Sequence, residues 1–146
     1  MRLTPLPRHL PPPRGGVDPV DDARSALALV AAAIDRPLLP QMLVAFLDDF
    51  ALGTRLMIVD NVHGRGVTAS VTAAACHIAL SEIPGTAQLV LASVRPGGGV
   101  EADDVDQWLE ASAVADFYGL RLVEWYVISE QGFCCPRDLI GEPERW

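Results

Sequence analysis

The chain contains no lysine. All 11 basic residues are arginines, set against 19 aspartates and glutamates, and the formal net charge is −8. The missing lysine fits a GC-rich coding sequence and has no functional meaning by itself. The shortage of positive charge does. Proteins bind phosphate backbones largely by neutralising them with Lys and Arg, so nucleic acid is a disfavoured partner. Cysteine is scarce as well. Cys76, Cys134 and Cys135 are odd in number and two are adjacent. They do not form a disulfide framework, and a reducing compartment, the cytoplasm, is the simpler expectation. The apolar residues 26–34 would span only about one third of a bilayer as a helix. Being rich in alanine and following Asp21, Asp22 and Arg24, they read as a buried helix face, and no membrane association is expected. The start is proline-rich and acidic ahead of the apolar part, unlike a signal peptide. No internal repeat is present, and no glycine-rich turn follows the first strand, as a dinucleotide-binding fold would require.

What is present suffices for a globular domain. Half of the 146 residues are apolar, which excludes disorder of the whole chain and supplies a core for one domain. Residues 1–20 hold Pro5, Pro7, Pro11, Pro12, Pro13 and Pro19 with Gly15-Gly16. Proline at that density prevents a helix or an inner strand. This segment is expected to be a mobile or loosely docked arm, a plain tail rather than a ligand for a proline-binding domain. The remainder, residues 21–146, is expected to be a single domain.

Asp21 and Asp22 can cap a helix running to about Arg36. Apolar runs at residues 42–47 and 55–59 flank Asp48-Asp49-Phe50-Ala51-Leu52-Gly53 and predict a hairpin. After a loop containing His63, residues 67–83 have helical length and spacing, and Pro84-Gly85 stops them. Residues 87–94 form a continuous apolar run suited to a central strand. Residues 105–118 predict a helix with Trp108, Leu109, Ala113 and Phe117 along one stripe, ended by Gly119. Residues 120–128 predict another strand, and residues 129–146 a tail on the surface. The order predicts a mixed sheet with helices on it, an α/β (α+β) fold.

The segment with most chemical information is Ser93-Val94-Arg95-Pro96-Gly97-Gly98-Gly99-Val100-Glu101-Ala102-Asp103-Asp104-Val105-Asp106, between an apolar strand and a helix. It resembles the metal-binding motif of the RadC-like branch of the JAB/MPN (JAMM) metalloprotease family. That motif reads His-x-His-Pro-x-Gly, then a short loop, then Ser-x-x-Asp opening a helix. Without gaps, Pro96 and Gly98 match, and Asp106 falls on the final aspartate. The resemblance extends by order of elements over residues 41–133. It implies a JAB/MPN-like (cytidine-deaminase-like) core.

The departures from the motif govern the functional expectation. Ser93 and Arg95 stand where the two histidine ligands belong, and Asp103 stands for the serine. Catalytic zinc takes about three protein ligands plus a water. An arginine is always charged and cannot ligate a cation. The family's general-base glutamate has no counterpart within residues 55–70, where Asp60 is the nearest acid. The expectation is therefore a domain that is not an enzyme, holds no metal or other cofactor, and serves as a protein-binding or scaffold module. A homodimer is left open. The alternative is a metallopeptidase-like or thiol-dependent hydrolase whose ligands lie outside the motif.

Each motif residue also has a structural reading. Asp103 can be a helix N-cap with Asp106 completing an acidic capping box. Ser93 can be a small polar strand end. Arg95 is expected to pair with Asp106 or Asp103 in place of a metal. A different metal site built from His63, Cys76, His77, Cys134 and Cys135 is disfavoured because neighbouring side chains diverge. A reactive thiol at Cys134 or Cys135, close to Arg137, stands against an inert one. The glycine-rich loop before a helix suggests an anion nest, but Glu101, Asp103, Asp104 and Asp106 would repel a phosphate. Trp108 and Trp125 are expected in the core, with Trp146 at the terminus.

Overall fold

The structure is a computed structural model that describes residues 3–62 and 66–146. His63 lies outside the described residues. The elements are α1 (Ala23–Ala33), β1 (Gln41–Leu47), β2 (Gly53–Asp60), α2 (Val67–Glu82), β3 (Gln88–Val94), α3 (Asp104–Phe117), β4 (Arg121–Ser129), β5 (Gly132–Cys134) and α4 (Pro136–Leu139). The strands form one sheet in the order β2-β1-β3-β4-β5. β1 runs antiparallel to both β2 and β3, β3 runs parallel to β4, and β5 returns antiparallel along β4. The fold is thus a mixed sheet flanked by helices. Among the described residues no helix is long and apolar enough to cross a membrane.

Local chemistry explains the boundaries. The Asp22 carboxylate accepts the Ser25 N–H at 2.7 Å and caps α1. The helix stops at Ala33, short of Arg36, because Ile34 is already extended. In the β1–β2 turn the Asp48 carboxylate accepts the N–H groups of Phe50 and Leu52, both at 2.9 Å, and Ala51 adopts a positive φ. β1 is buried along its whole length, as its apolar run predicts. Parallel β3 and β4 need a crossover, and α3 supplies it.

The sheet has a core on each face. α2 and α3 cover Val44, Phe46, Leu89, Leu91, Leu122 and Trp125. α1 covers Leu43, Ala45, Leu47, Val90, Ala92 and Tyr126 on the opposite face. A register shift between Leu89 and Val90 against β4 makes a bulge there. Leu122 and Trp125 face one core while Val123 and Tyr126 face the other.

Three expectations need correction. The buried side of α3 consists of Asp104, Trp108, Ala111, Ser112 and Ala115. Leu109, Ala113 and Phe117 lie outside it, Phe117 being 83% exposed. The error is one of phase: successive helical residues are about 100° apart, so Trp108 and Leu109 cannot share a narrow stripe. The N-terminal arm is not loose. Thr4 exchanges backbone hydrogen bonds with Phe133, Pro19 bridges Leu52, and Val20 is buried. Nor is the tail only a surface wrap. It forms β5 and α4, buries Arg137, and packs Trp146 against the α1-side core.

Candidate functional site

The motif-like segment lies at the carboxyl end of β3. The Arg95 N–H still donates to the Ile128 carbonyl at 2.8 Å, so the ladder continues one residue past the strand. The chain then turns tightly. The Gly98 N–H donates to the Arg95 carbonyl at 3.0 Å, with Pro96 second in the turn and Gly97 third at φ 69°. Proline followed by a residue of positive φ is a type II turn, and here the third position requires glycine. The glycine that this turn requires is therefore Gly97, which falls at the variable position between the two motif matches Pro96 and Gly98.

The turn sends the Arg95 side chain back toward the start of α3. Its guanidinium grips the Asp104 carboxylate with two bonds of 2.7 and 2.8 Å, and donates to the Gly99 carbonyl at 3.0 Å. Asp104 also accepts the Glu101 N–H at 2.7 Å and is almost wholly buried. Glu101 approaches Arg95 at 4.0 Å, and the guanidinium carbon lies 5.8 Å from the centre of the Trp125 ring. Burial pulls the Arg95 pKa down, but Asp104, Glu101 and Asp103 outweigh it and raise the value, so the positive charge is fixed. Behind the pair, the Trp125 indole donates to Ser93 Oγ at 2.9 Å. Ser93 is therefore a buried acceptor for a core tryptophan.

These groups line an open cleft of about 360 Å³, which also takes in Gln41, Thr68 and Gln107. Gln107 accepts the Ala69 N–H at 3.2 Å, tying α3 to the first turn of α2. Gln41 bonds to Asp35 and Asp60 at the other side.

The structure brings together Ser93, Arg95, Pro96, Gly98 and Asp103 around this cleft. It leaves Asp106 exposed on the first turn of α3 and away from Arg95's hydrogen bonds. The expected pairing of Arg95 with Asp106 or Asp103 is thus corrected: the partner is Asp104. Asp103 occupies the N-cap position, but its side chain makes no capping bond, and the expected capping box does not form. Its backbone is near helical already (φ −94°, ψ 3°), whereas an N-cap side chain reaches back from an extended backbone. The carboxylates of Glu101, Asp103 and Asp104 cluster within 4.8 Å of one another. Arg95 answers that negative charge.

Sequence reasoning missed Asp104, although a signal existed. Asp104, Trp108, Ala111 and Ala115 fall at helical spacing on one face, so whatever buries Trp108 also buries Asp104. It also missed Glu124, a lone carboxylate inside an apolar strand. Glu124 is buried at the bulge and accepts from Arg137 Nε at 2.8 Å. Cys134 and Cys135 flank that second pair. Burial raises both thiol pKa values, and the Glu124 charge adds to the rise at Cys135. Cys76 is also buried, its pKa pushed up to about 11. His77 points away toward α3, 2.8 Å from the Tyr118 hydroxyl.

No protein-family model matches the chain, and no curated protein is significantly similar to it.

Proposed function

We propose that the chain is a degenerate relative of the RadC-like JAB/MPN domains and acts as a protein-binding or scaffold module rather than a hydrolase. The observation that carries this reading is the Arg95–Asp104 pair. In the frame given by the sequence resemblance, Arg95 stands at a ligand position. Its guanidinium puts a permanent cation where a metal dication would have to sit. Ser93, at the other histidine position, is already the acceptor for Trp125. Asp106 alone falls short of the three ligands a catalytic zinc needs. The retained turn and helix start then preserve the shape of a site without its chemistry. The order of strands and helices and the β3–α3 crossover fit a JAB/MPN-like core.

A thiol-dependent hydrolase finds less support. A nucleophilic cysteine needs a lowered pKa, and those of Cys134 and Cys135 are raised.

Zinc titration of the purified protein, followed by calorimetry, tests the reading. No stoichiometric binding is expected from the wild type. Stoichiometric zinc whose affinity falls in Asp106→Asn would overturn the proposal. A variant carrying Ser93→His and Arg95→His together is expected to gain zinc affinity. For the binding role, affinity capture with the intact chain should recover a protein partner that is lost with Arg95→Ala.

A further inference from the structure

β1 is enclosed by two neighbours, and β5, the arm and the tail shield much of β4. The outer edge of β2 differs. From Thr54 to Asp60 it has no strand partner among the described residues, and Leu56 and Ile58 are exposed, Ile58 by 45%. The Asn61 N–H donates to the Pro40 carbonyl at 3.0 Å in the register that pairs Gln41 with Asp60. In an antiparallel ladder, bonded pairs alternate. Asp60, Ile58 and Leu56 therefore direct their N–H and C=O groups outward, while Val59, Met57 and Arg55 bond to β1. Native edges of this kind are usually blunted by proline, lysine or a bulge. Here the one bulge falls at Thr54, at the start of the strand, and neither proline nor lysine occurs from Arg55 to Asp60.

We propose that this edge is an isologous interface, in which β2 pairs antiparallel with β2 of a second copy and joins the two sheets into one. The sequence of the edge selects the register. A two-fold axis at Met57 places Leu56 of each copy opposite Ile58 of the other, and both belong to the same face because Leu56 and Ile58 oppose Ala45 and Leu43 of the α1-side core. Both Leu56–Ile58 pairs are then hydrogen-bonded pairs, using the outward N–H and C=O groups, and four exposed aliphatic side chains become contiguous. Moving the axis to Ile58 would instead set Leu56 against Asp60, and moving it to Leu56 would set Ile58 against Thr54.

Asp60 of the second copy comes opposite Thr54. Thr54 lines a depression of about 180 Å³ together with Leu56, Leu29, Val20 and Arg14 of the arm. The arm reaches β2 only at its start, where the Gly16 N–H donates to the Gly53 carbonyl at 2.9 Å. Among the described residues it makes no strand pairing with the edge beyond Gly53, and Arg14 is bonded there to Asp18 of the same chain, at 2.9 Å. Within each copy Arg55 already lies 3.6 Å from Glu82 of α2, and Asp60 accepts from Gln41, so the pairing rests on the backbone edge and the aliphatic side chains. The inference does not depend on the function proposed above.

Analytical ultracentrifugation of the full chain, with site-directed cross-linking, tests it. The expected species at micromolar concentration has twice the 15.7 kDa mass of one chain. Ile58→Lys should weaken the dimer by more than about tenfold while its unfolding profile at low concentration remains cooperative. Met57 meets its own copy at a non-bonded pair, where Cα atoms lie about 4.5 Å apart, within disulfide reach. Met57→Cys should therefore form a covalent dimer on mild oxidation, whereas Ile58→Cys and the unmodified chain should not. A monomer at all concentrations, a dimer indifferent to Ile58→Lys, or cross-linking through Ile58→Cys in place of Met57→Cys would each overturn the proposal.

Discussion

Two arginine–carboxylate pairs hold different parts of this molecule. Arg95 and Asp104 are nine residues apart and meet across the β3–α3 turn at the cleft, with the arginine still 21% exposed. Arg137 and Glu124 join α4 to the bulge of β4, and both are nearly inaccessible. The first pair is bidentate and its carboxylate has a further backbone donor. The second relies on one guanidinium bond and the Trp125 N–H, which follows Glu124 directly. The contrast separates two uses of one chemistry. At the cleft, the pair neutralises an acidic cluster beside solvent. At the bulge, it fastens the C-terminal segment to the sheet, with both side chains nearly inaccessible at the wall of a cavity of about 280 Å³.

The largest effect should come from the enclosed pair. Arg137→Ala is expected to destabilise the fold by about 3–5 kcal/mol, because an unpaired carboxylate remains buried. A loss under about 1 kcal/mol in urea denaturation would erase the distinction between the pairs. Arg95→Ala should cost less, about 1–3 kcal/mol, since solvent can reach the vacated space. A double-mutant cycle of Arg95→Ala with Asp104→Asn should show a clear coupling, and the same cycle with Asp106→Asn almost none.

The pH dependence sharpens the contrast further. Burial outweighs Arg137 and raises the Glu124 pKa above its ordinary value. A carboxyl raised in the folded state contributes stability that is complete below its unfolded pKa and is lost as pH rises through the folded one. Over that acid window the wild type should lose stability relative to Glu124→Gln. A flat or rising difference curve would show that Arg137 prevails over burial. The smallest effect belongs to Asp106→Asn alone, within about 0.5 kcal/mol by thermal or chemical unfolding, as for other exposed surface positions.

The sheet and its helices were legible because periodicity reports burial directly. The hairpin, the inner strand at residues 87–94 and the α3 segment all follow from apolar pattern and turn chemistry. The cleft was legible in outline. Pro96 and Gly98 mark a turn and Arg95 marks a charge, but which of three nearby aspartates it meets depends on helix phase. That phase was misread from Leu109 and Phe117, and Asp104 was passed over with it. The arm and tail were misjudged for another reason. Their contacts, such as Thr4 with Phe133 and Arg145 with the Leu122 carbonyl, join distant residues and leave no local pattern.

The bulge in β4 acts as a half-period phase slip. Alternation before it sends Leu122 toward α2 and α3; one extra residue later, Trp125 faces the same way instead of the opposite one. Deleting Val123 would remove the slip and retime the strand. Leu122 and Trp125 would then stand two residues apart and share a face by plain alternation, so Trp125 would keep its core and its bond to Ser93. A reading frame of apolar alternation drawn through residues 121–129 changes phase there, and adding one more residue, rather than removing one, would turn half of the strand over.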